Sequence, residues 1–129
     1  MVRDLLGRYG GTEADTAGDG FLCTFETAWA AVRCAVAIVS AAAEHGLGVR
    51  AGVHVGEVLL QAGKPVGVAV HIAARVASLT RAGQVLVSDT VALATLGVAG
   101  IELEPHAETE LRGVPGLWRL HAVAGASGS

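Results

Sequence analysis

Residues 49–91 read VRAGVHVGEVLLQAGKPVGVAVHIAARVASLTRAGQVLVSDTV, and this stretch predicts a helix between two strands. Apolar residues alternate with small or polar ones from Val49 to Leu60, which is the period of a strand. A helix is predicted from Val68 to Thr80, because apolar residues recur there at the spacing of a buried helical face. A short strand follows from Gln84 to Ser88. The turn-rich residues 61–67 predict a loop before the helix.

The chain that precedes this stretch predicts two helices and a hairpin. A helix over residues 1–9 is expected to end at Gly10-Gly11. Two strands are expected between Thr12 and Phe25, with the bend at Gly18-Asp19-Gly20, because Asp-Gly is a strong hairpin signal. The alanine-rich stretch from Thr27 to Glu44 contains no glycine or proline and predicts a long helix.

The chain that follows adds one short helix and the last strands. Asp89 is placed to cap a helix that runs to Leu96, because a carboxylate there accepts hydrogen bonds from free backbone N–H groups. Strand-like sequence follows at residues 101–104, 108–112 and 117–123. This order of elements predicts an α+β fold in which helices pack on one face of a mostly antiparallel sheet.

The composition is typical of one compact domain. The chain has 129 residues, 52% of them apolar and 16% charged, with a formal net charge of −3. We expect a single domain over residues 1–124 and a disordered GASGS tail over residues 125–129. No apolar run approaches the roughly 20 residues that span a bilayer, and no signal-peptide pattern is present. A cytoplasmic protein with no membrane partner is therefore expected.

Charge and cysteine content argue against further classes. Twelve acidic residues outnumber nine basic ones and no Lys/Arg cluster occurs, so nucleic acid is not an expected partner. Cys23 and Cys34 lie in apolar segments and are interpreted as packing residues, not as a disulfide or metal pair. The histidines show no metal-ligand spacing, and no glycine-rich phosphate motif of the GxxxxGKS/T type occurs.

A few residues are nevertheless placed for chemistry. Asp19 lies at the tip of a glycine-flanked hairpin, where a carboxylate can hold a cation such as Mg²⁺ beside phosphates, or can simply make the turn. His71 and Arg75, four residues apart, share one face of the predicted helix. An arginine held by a helix can clamp phosphate oxygens, although a solvated helix face has the same spacing. Lys64, the only lysine, reads by itself as an ordinary surface charge.

Five stretches carry a family resemblance, and they are TAGDGFLCTF (16–25), VRAGVHVGEV (49–58), VGVAVHIAARVASL (66–79), GQVLVSDTV (83–91) and ELRGVPGLWRL (110–120). In this order and spacing, the chain resembles the catalytic domain of class III adenylyl/guanylyl cyclases, especially the actinobacterial type. The resemblance implies a ferredoxin-like core that forms a head-to-tail homodimer with two interfacial sites. It also implies conversion of ATP or GTP to a cyclic nucleotide and pyrophosphate with two metal ions, Mg or Mn.

The resemblance implies roles for five residues. Asp19 falls on a metal-binding aspartate of the family, and Arg75 falls on the arginine that stabilises the charged transition state. His71 stands where the family usually has an asparagine that orients the ribose. Asp15 and Lys64 stand at the two purine-selecting positions. Adenylyl cyclases carry a lysine and an aspartate there, so the charges are exchanged in this chain.

The resemblance also implies that a first strand, with a motif like FTDIVGS and another metal-binding aspartate, would precede Met1. We therefore expect an N-terminally truncated homologue with weak or absent turnover that serves as a dimerising or regulatory domain. One alternative is an active adenylyl or guanylyl cyclase with unusual substrate-selecting residues, and another is a nucleotide-binding module without turnover. Because loss of a strand exposes unpaired backbone and apolar surface, self-association is expected.

Overall fold

Twelve elements make up the part of the chain that the computed structural model describes, residues 2–17 and 20–126. In chain order they are α1 (Val2–Tyr9), β1 (Thr12–Ala17), β2 (Gly20–Thr24), α2 (Ala28–Glu44), β3 (Ala51–Val53), β4 (Leu59–Gln61), β5 (Lys64–Val66), α3 (Val68–Ser78), β6 (Val85–Ser88), α4 (Asp89–Ala94), β7 (Ile101–Leu111) and β8 (Val114–Ala126). Within these residues no helix is both long and apolar enough to cross a bilayer.

A four-stranded sheet forms the centre of the fold. Its strand order is β3-β6-β8-β7, with β3 parallel to β6 and β8 antiparallel to both β6 and β7. β7 and β8 form a long hairpin that turns at Arg112 and Gly113. β1 pairs with β2, and β4 with β5, as separate antiparallel pairs. The predicted α+β class with a mostly antiparallel sheet is confirmed.

Helices cover both faces of the central sheet, so the expectation that they lie on one face is wrong. All four residues of β6 are buried. Val85 and Val87 pack with residues of α2 such as Val32, whereas Leu86 packs with residues of α3 such as Val76. Successive side chains of a strand point to opposite faces, so a strand that is buried throughout lies between two layers.

Helix α2 confirms the long helix predicted from the alanine-rich stretch. Thr27 is its N-cap, and the Thr27 hydroxyl oxygen accepts a hydrogen bond from the backbone N–H of Ala30 at 3.3 Å. Cys34 on this helix is fully buried, and burial raises the pKa of its thiol to about 11. Burial also raises the pKa of the Cys23 thiol on β2. Both cysteines are free, which agrees with their interpretation as packing residues.

Helix α3 lies directly on strand β3 because Gly52 has no side chain. A Cβ atom at this position would clash with the backbone nitrogen of Ala77. The helix ends at Ser78, two residues before the predicted end, and the Thr80 hydroxyl then donates to the carbonyl of Val76 at 2.8 Å. This close packing on β3 fixes the position of α3 and therefore of its other side chains.

The strand predicted over residues 49–60 is divided in two. Only Ala51–Val53 joins the central sheet, residues 54–58 form no regular element, and β4 pairs with β5 across the predicted loop. Ala62 and Gly63 make the turn with φ values of 52° and 80°. Positive φ at both positions is the geometry of a type I′ hairpin turn, which usually has the sequence Asn-Gly. Since alanine rarely adopts this conformation, the sequence pattern did not reveal the hairpin.

A proline does not separate the two strands predicted at residues 101–104 and 108–112. They form one strand, β7, in which Pro105 lies beside a register shift. β7 is an edge strand of the central sheet. Because proline lacks a backbone N–H, it is tolerated at a sheet edge and next to a bulge.

The final strand extends into the predicted tail. β8 continues to Ala126, which pairs with Ile101 at the start of β7. Residues 127–129 of the tail lie outside the described residues. The domain limits at residues 1–124 therefore stay a prediction.

Candidate functional site

Helix α3 carries the two residues predicted to be catalytic. Its core side is formed by Ala69, Ile72 and Val76. His71 and Arg75 lie beside this apolar stripe, one turn apart, and both side chains are half-buried. The structure thus brings these two residues together on one helix face, while their chemical roles stay predictions.

The His71 ring is held by the turn between β7 and β8. Its Nε2 atom lies 3.0 Å from the carbonyl oxygen of Arg112. A carbonyl oxygen only accepts hydrogen bonds, so Nε2 carries the proton and donates it. Gly113, with a φ of 81°, lies against the ring, and a Cβ atom at Gly113 would be 3.0 Å from His71 Nε2. The turn therefore fixes both the position and the tautomer of His71.

The Arg75 guanidinium is incompletely paired. Its Nε atom is buried and has no hydrogen-bond partner. The ion pairs among residues 2–17 and 20–126 involve Arg3, Arg119 and His121, and none of them includes Arg75. A buried donor without a partner costs free energy, and an anion can satisfy it. A guanidinium can pair with a phosphate oxygen, and that role of Arg75 stays a prediction.

The predicted purine-selecting residues lie on strands that contact each other. Asp15 belongs to β1, where it pairs with Leu22 next to a register irregularity. Lys64 begins β5 and is exposed. Because β1 packs against β5, the fold places the two strands side by side. The selecting roles of Asp15 and Lys64 stay predictions.

The predicted metal ligand, Asp19, lies outside the described residues. In the described part of the chain, no group of three or more His, Cys, Asp or Glu side chains is arranged to hold a metal ion. Mg²⁺ and Mn²⁺ require several oxygen ligands. The described residues do not by themselves fit the metal ions that the resemblance implies, so we assign no chemical step to a metal.

Arg112 is the residue of this site that the sequence analysis missed. Its carbonyl oxygen holds His71, although 41 positions separate the two residues. The signal was present in the stretch ELRGVPGLWRL, where Gly113 adopts a positive φ at the turn. A glycine at a tight turn marks a close backbone approach, but it does not identify the side chain that is approached.

Solved structures of nucleotide cyclases resemble this structure. The adenylate/guanylate cyclase/hydrolase from Silicibacter pomeroyi has a TM-score of 0.83 and 25% identity, covering 95% of this chain and 78% of that one. The guanylyl cyclase Cya2 has a TM-score of 0.79 and 25% identity, covering 98% and 76%. The guanylate cyclase domain of RhGC from Catenaria anguillulae, in complex with GTP, has a TM-score of 0.79 and 21% identity, covering 98% and 79%.

No protein-family model matches the chain, and no curated protein matches it. The structural likeness nevertheless extends over 95% or more of the chain in these three comparisons. The chain has the fold of adenylyl and guanylyl cyclase catalytic domains.

Proposed function

We propose that this chain is a nucleotide cyclase homology domain that binds ATP or GTP and turns it over weakly or not at all. It then acts in the cytoplasm as a dimerising or regulatory domain. Arg75 supports nucleotide binding, and His71 supports the loss of turnover. The observation that carries the proposal is the hydrogen bond from the His71 ring to the backbone carbonyl of Arg112.

The engagement of His71 explains why turnover would be slow. An asparagine at this position offers both a donor and an acceptor to a ribose, whereas His71 has already given its only N–H to Arg112. Cyclisation requires the ribose 3′-oxygen to lie in line with the α-phosphorus. Holding reacting atoms in the correct geometry accounts for a large part of catalysis. A ribose that is poorly oriented therefore reacts slowly even when the nucleotide is bound.

The incomplete pairing of the Arg75 guanidinium supports nucleotide binding. Its buried Nε has no partner, and a guanidinium can donate two parallel hydrogen bonds to a phosphate. Lys64, at one of the two purine-selecting positions that the resemblance implies, is exposed. A lysine side chain donates hydrogen bonds and cannot accept them, so a purine base next to Lys64 must present a hydrogen-bond acceptor.

An active cyclase is the alternative function, and the same arginine favours it. Arg75 retains the position that stabilises negative charge while the 3′-oxygen attacks and pyrophosphate leaves. Stabilisation of this charge is the main catalytic task in phosphoryl transfer. The two functions make opposite predictions about product formation.

Turnover and binding are measured separately on the purified chain. With ATP or GTP plus Mn²⁺, we expect little or no cyclic nucleotide above a protein-free blank. With the same nucleotides, we expect saturable binding by titration calorimetry. Arg75→Ala is expected to weaken binding about tenfold or more, because hydrogen bonds to charged groups contribute about 1.5–3 kcal/mol.

The matched control is Arg81→Ala, which removes an exposed arginine just beyond α3 and is expected to leave binding unchanged. Robust cyclic-nucleotide production by the unmodified chain would overturn the proposal in favour of an active cyclase. Failure of both nucleotides to bind would leave a domain that acts only through protein contacts, which also contradicts the proposal.

Self-association is the remaining part of the proposal. The residues that support it are exposed, apolar and close together in sequence, and we call them the hairpin patch: Val55, Val58, Leu59, Leu60 and Val68. They are five of the eleven large apolar side chains exposed among the described residues. Concentrated apolar exposure marks interaction surfaces. We propose that a second copy of the chain covers the patch, which places Lys64 near the interface.

A further inference from the structure

The two edges of the central sheet differ in how they are protected against pairing with another chain. Proteins commonly protect an edge strand with a proline, a bulge or charged side chains. The β7 edge has Pro105, register shifts along its length, and four exposed glutamates, which are Glu102, Glu104, Glu108 and Glu110. The β3 edge has the sequence Ala-Gly-Val, without a proline or a charge. Its protection is limited to its length of three residues.

The hydrogen bonds around β3 show which backbone groups face its free edge. The N–H of Ala51 donates to the carbonyl of Gln84 at 3.2 Å, and the carbonyl of Val49 accepts from the N–H of Gly83 at 2.7 Å. Both partners lie just before β6, on the same side of β3. The N–H and C=O of one peptide unit point in opposite directions. The N–H and the C=O of Arg50 therefore point away from β6.

Gly52 and His54 continue this alternation. Gly52 stands opposite Leu86 in the parallel ladder, where its N–H and C=O point away from β6 because those of Ala51 point toward it. Outside helices and strand pairs, the backbone hydrogen bonds of residues 2–17 and 20–126 include none that involves Arg50, Gly52 or His54. The free edge of β3 therefore offers donors and acceptors at alternate residues.

The two faces of this segment are already packed within one chain. On one face, Gly48, Gly52 and Gly56 lie so close to α3 and the residues after it that a Cβ atom at any of them would come closer than 3.0 Å to another atom. On the other face, Val53 is buried in a cluster with residues of α2, and Val49 packs against this cluster. The edge is therefore the side of β3 that a partner can reach.

His54 is anchored to the end of β6, although β3 itself ends one residue earlier. Its Nδ1 atom lies 2.6 Å from the hydroxyl oxygen of Ser88, the last residue of β6. Ser88 is the N-cap residue of α4, yet its side chain makes no capping hydrogen bond and is used for His54. This contact keeps the backbone of residue 54 beside β6. The free edge thus extends from Arg50 to His54.

We propose that a second copy of this chain adds its own β3 to the free edge, antiparallel and centred on Gly52, so that the two central sheets become one continuous sheet. The choice of partner rests on the self-association proposed above. In this register Gly52 pairs with Gly52 of the second copy, and Arg50 pairs with its His54. Residues paired in this way exchange both of their backbone hydrogen bonds. The register also keeps the two Arg50 guanidinium groups apart.

Two features favour a second copy over an unrelated strand. A two-fold axis through Gly52 pairs the same groups on both chains, so the contact closes after two copies. The same register places Leu47, which is 57% exposed, opposite Glu57 of the second copy, between Val55 and Val58 of its hairpin patch. The β3 edge and the hairpin patch therefore belong to one contact surface.

Hydrogen exchange of single amides, followed by NMR on the full chain across a concentration series, tests the pairing. The amides of Ala51 and Val53 face β6 and are expected to be protected at every concentration. The amides of Arg50, Gly52 and His54 are expected to exchange about tenfold more slowly, or slower still, once the chain is mostly associated. Protection that alternates along the segment shows that one edge has become paired, whereas general stabilisation would slow all of these amides.

A mixture of isotope-labelled and unlabelled chains tests the register. Ala51 and Val53 of the second copy form a non-hydrogen-bonded pair, in which the Cα atoms are about 4.5 Å apart. An NOE between the α protons of these two residues on different chains is therefore expected. Contacts between the copies without this NOE would overturn the register centred on Gly52.

Two substitutions of one exposed residue separate the backbone edge from the side chain. Arg50→Pro removes an N–H that faces away from β6, and proline is tolerated at such an edge position. It is expected to raise the dissociation constant about tenfold or more, because each copy loses a hydrogen bond. Arg50→Ala is the matched control, which removes the same charge but keeps the N–H and is expected not to weaken association. Equal weakening by both variants would contradict the proposal.

The outcomes distinguish this pairing from the proposed function. Association that leaves the Gly52 amide unprotected would overturn the β3 pairing and keep the hairpin patch as the contact. A chain that stays monomeric at all concentrations would overturn both the pairing and the proposed self-association, while nucleotide binding is measured independently. Protection of the Gly52 amide at every concentration would show that the edge is closed within one chain, which also overturns the pairing.

Discussion

Strand β6 and the β4–β5 hairpin contain similar apolar residues, but those of β6 are buried whereas those of the hairpin are exposed. Leu86 and Val87 of β6 are completely buried, because a helix covers each face of the sheet. Leu59 and Leu60 of the hairpin are 67% and 73% exposed, and the two hairpin strands form a separate sheet. Burial of apolar area drives folding, so β6 contributes to the stability of the single chain. The apolar side chains of the hairpin remain exposed and can contact a partner.

The variant expected to have the largest effect on this difference is Leu86→Ala. Leu86 packs in the α3-side core with Ile72, Leu111 and Leu120. Its truncation leaves a cavity and is expected to cost about 2–5 kcal/mol of unfolding free energy. Urea denaturation measures the loss. A cost below about 1 kcal/mol would show that this layer is loosely packed.

A second test adds volume where α3 meets β3. Gly52→Ala puts a methyl group against the backbone of Ala77, where no flexible side chain can move aside. We expect a loss of about 1–3 kcal/mol in the same denaturation experiment. Gly7→Ala is the control, since a Cβ atom at this α1 position meets nothing within 4 Å. That control is expected to be neutral or to stabilise the chain by up to about 1 kcal/mol.

A substitution in the hairpin is expected to change self-association and not the unfolding free energy. Leu60→Ser is expected to change the unfolding free energy by no more than about 0.5 kcal/mol, because the side chain is already exposed. It is expected to weaken self-association, which light scattering across a concentration series measures. Leu96→Ser, at a position that is 80% exposed outside the hairpin patch, is the matched control. Equal effects of the two variants on association would reject the patch as the contact surface.

The smallest expected effect concerns the hairpin turn. Ala62 has a φ of 52°, which asparagine adopts more readily than alanine. Ala62→Asn creates the Asn-Gly sequence preferred in type I′ turns and is expected to stabilise the hairpin by less than about 1 kcal/mol. Slower hydrogen exchange over residues 59–66 would show this gain, and faster exchange would contradict the assignment of the turn.

The elements predicted correctly are those with strong local signals. The alanine-rich run and its Thr27 cap identify α2, and the spacing of Ile72 and Val76 identifies α3. The hairpin at residues 59–66 and the continuity of β7 through Pro105 were missed. Both depend on neighbours: a strained turn persists where its strands pair, and a proline persists in a strand where the sheet leaves that edge free.

In the candidate site too, the features with a local signal were predicted and those that depend on distant residues were not. The four-residue spacing of His71 and Arg75 placed them together on α3. The hydrogen bond that occupies His71 was not predictable, because its partner is a backbone carbonyl at Arg112 and not a side chain. The resemblance likewise indicated Asp15 and Lys64, but only the packing of β1 against β5 brings their strands into contact.

The sequence by itself determined which segments become helices and which become most of the strands, because those properties depend on the spacing of residues a few positions apart. It also determined that one helix face carries a histidine and an arginine. Only the tertiary structure decided that helices cover both faces of the sheet and that Ser88 turns away from α4 to meet His54. The latter contact spans 34 positions, and it exists because β3 and β6 lie side by side in the folded sheet.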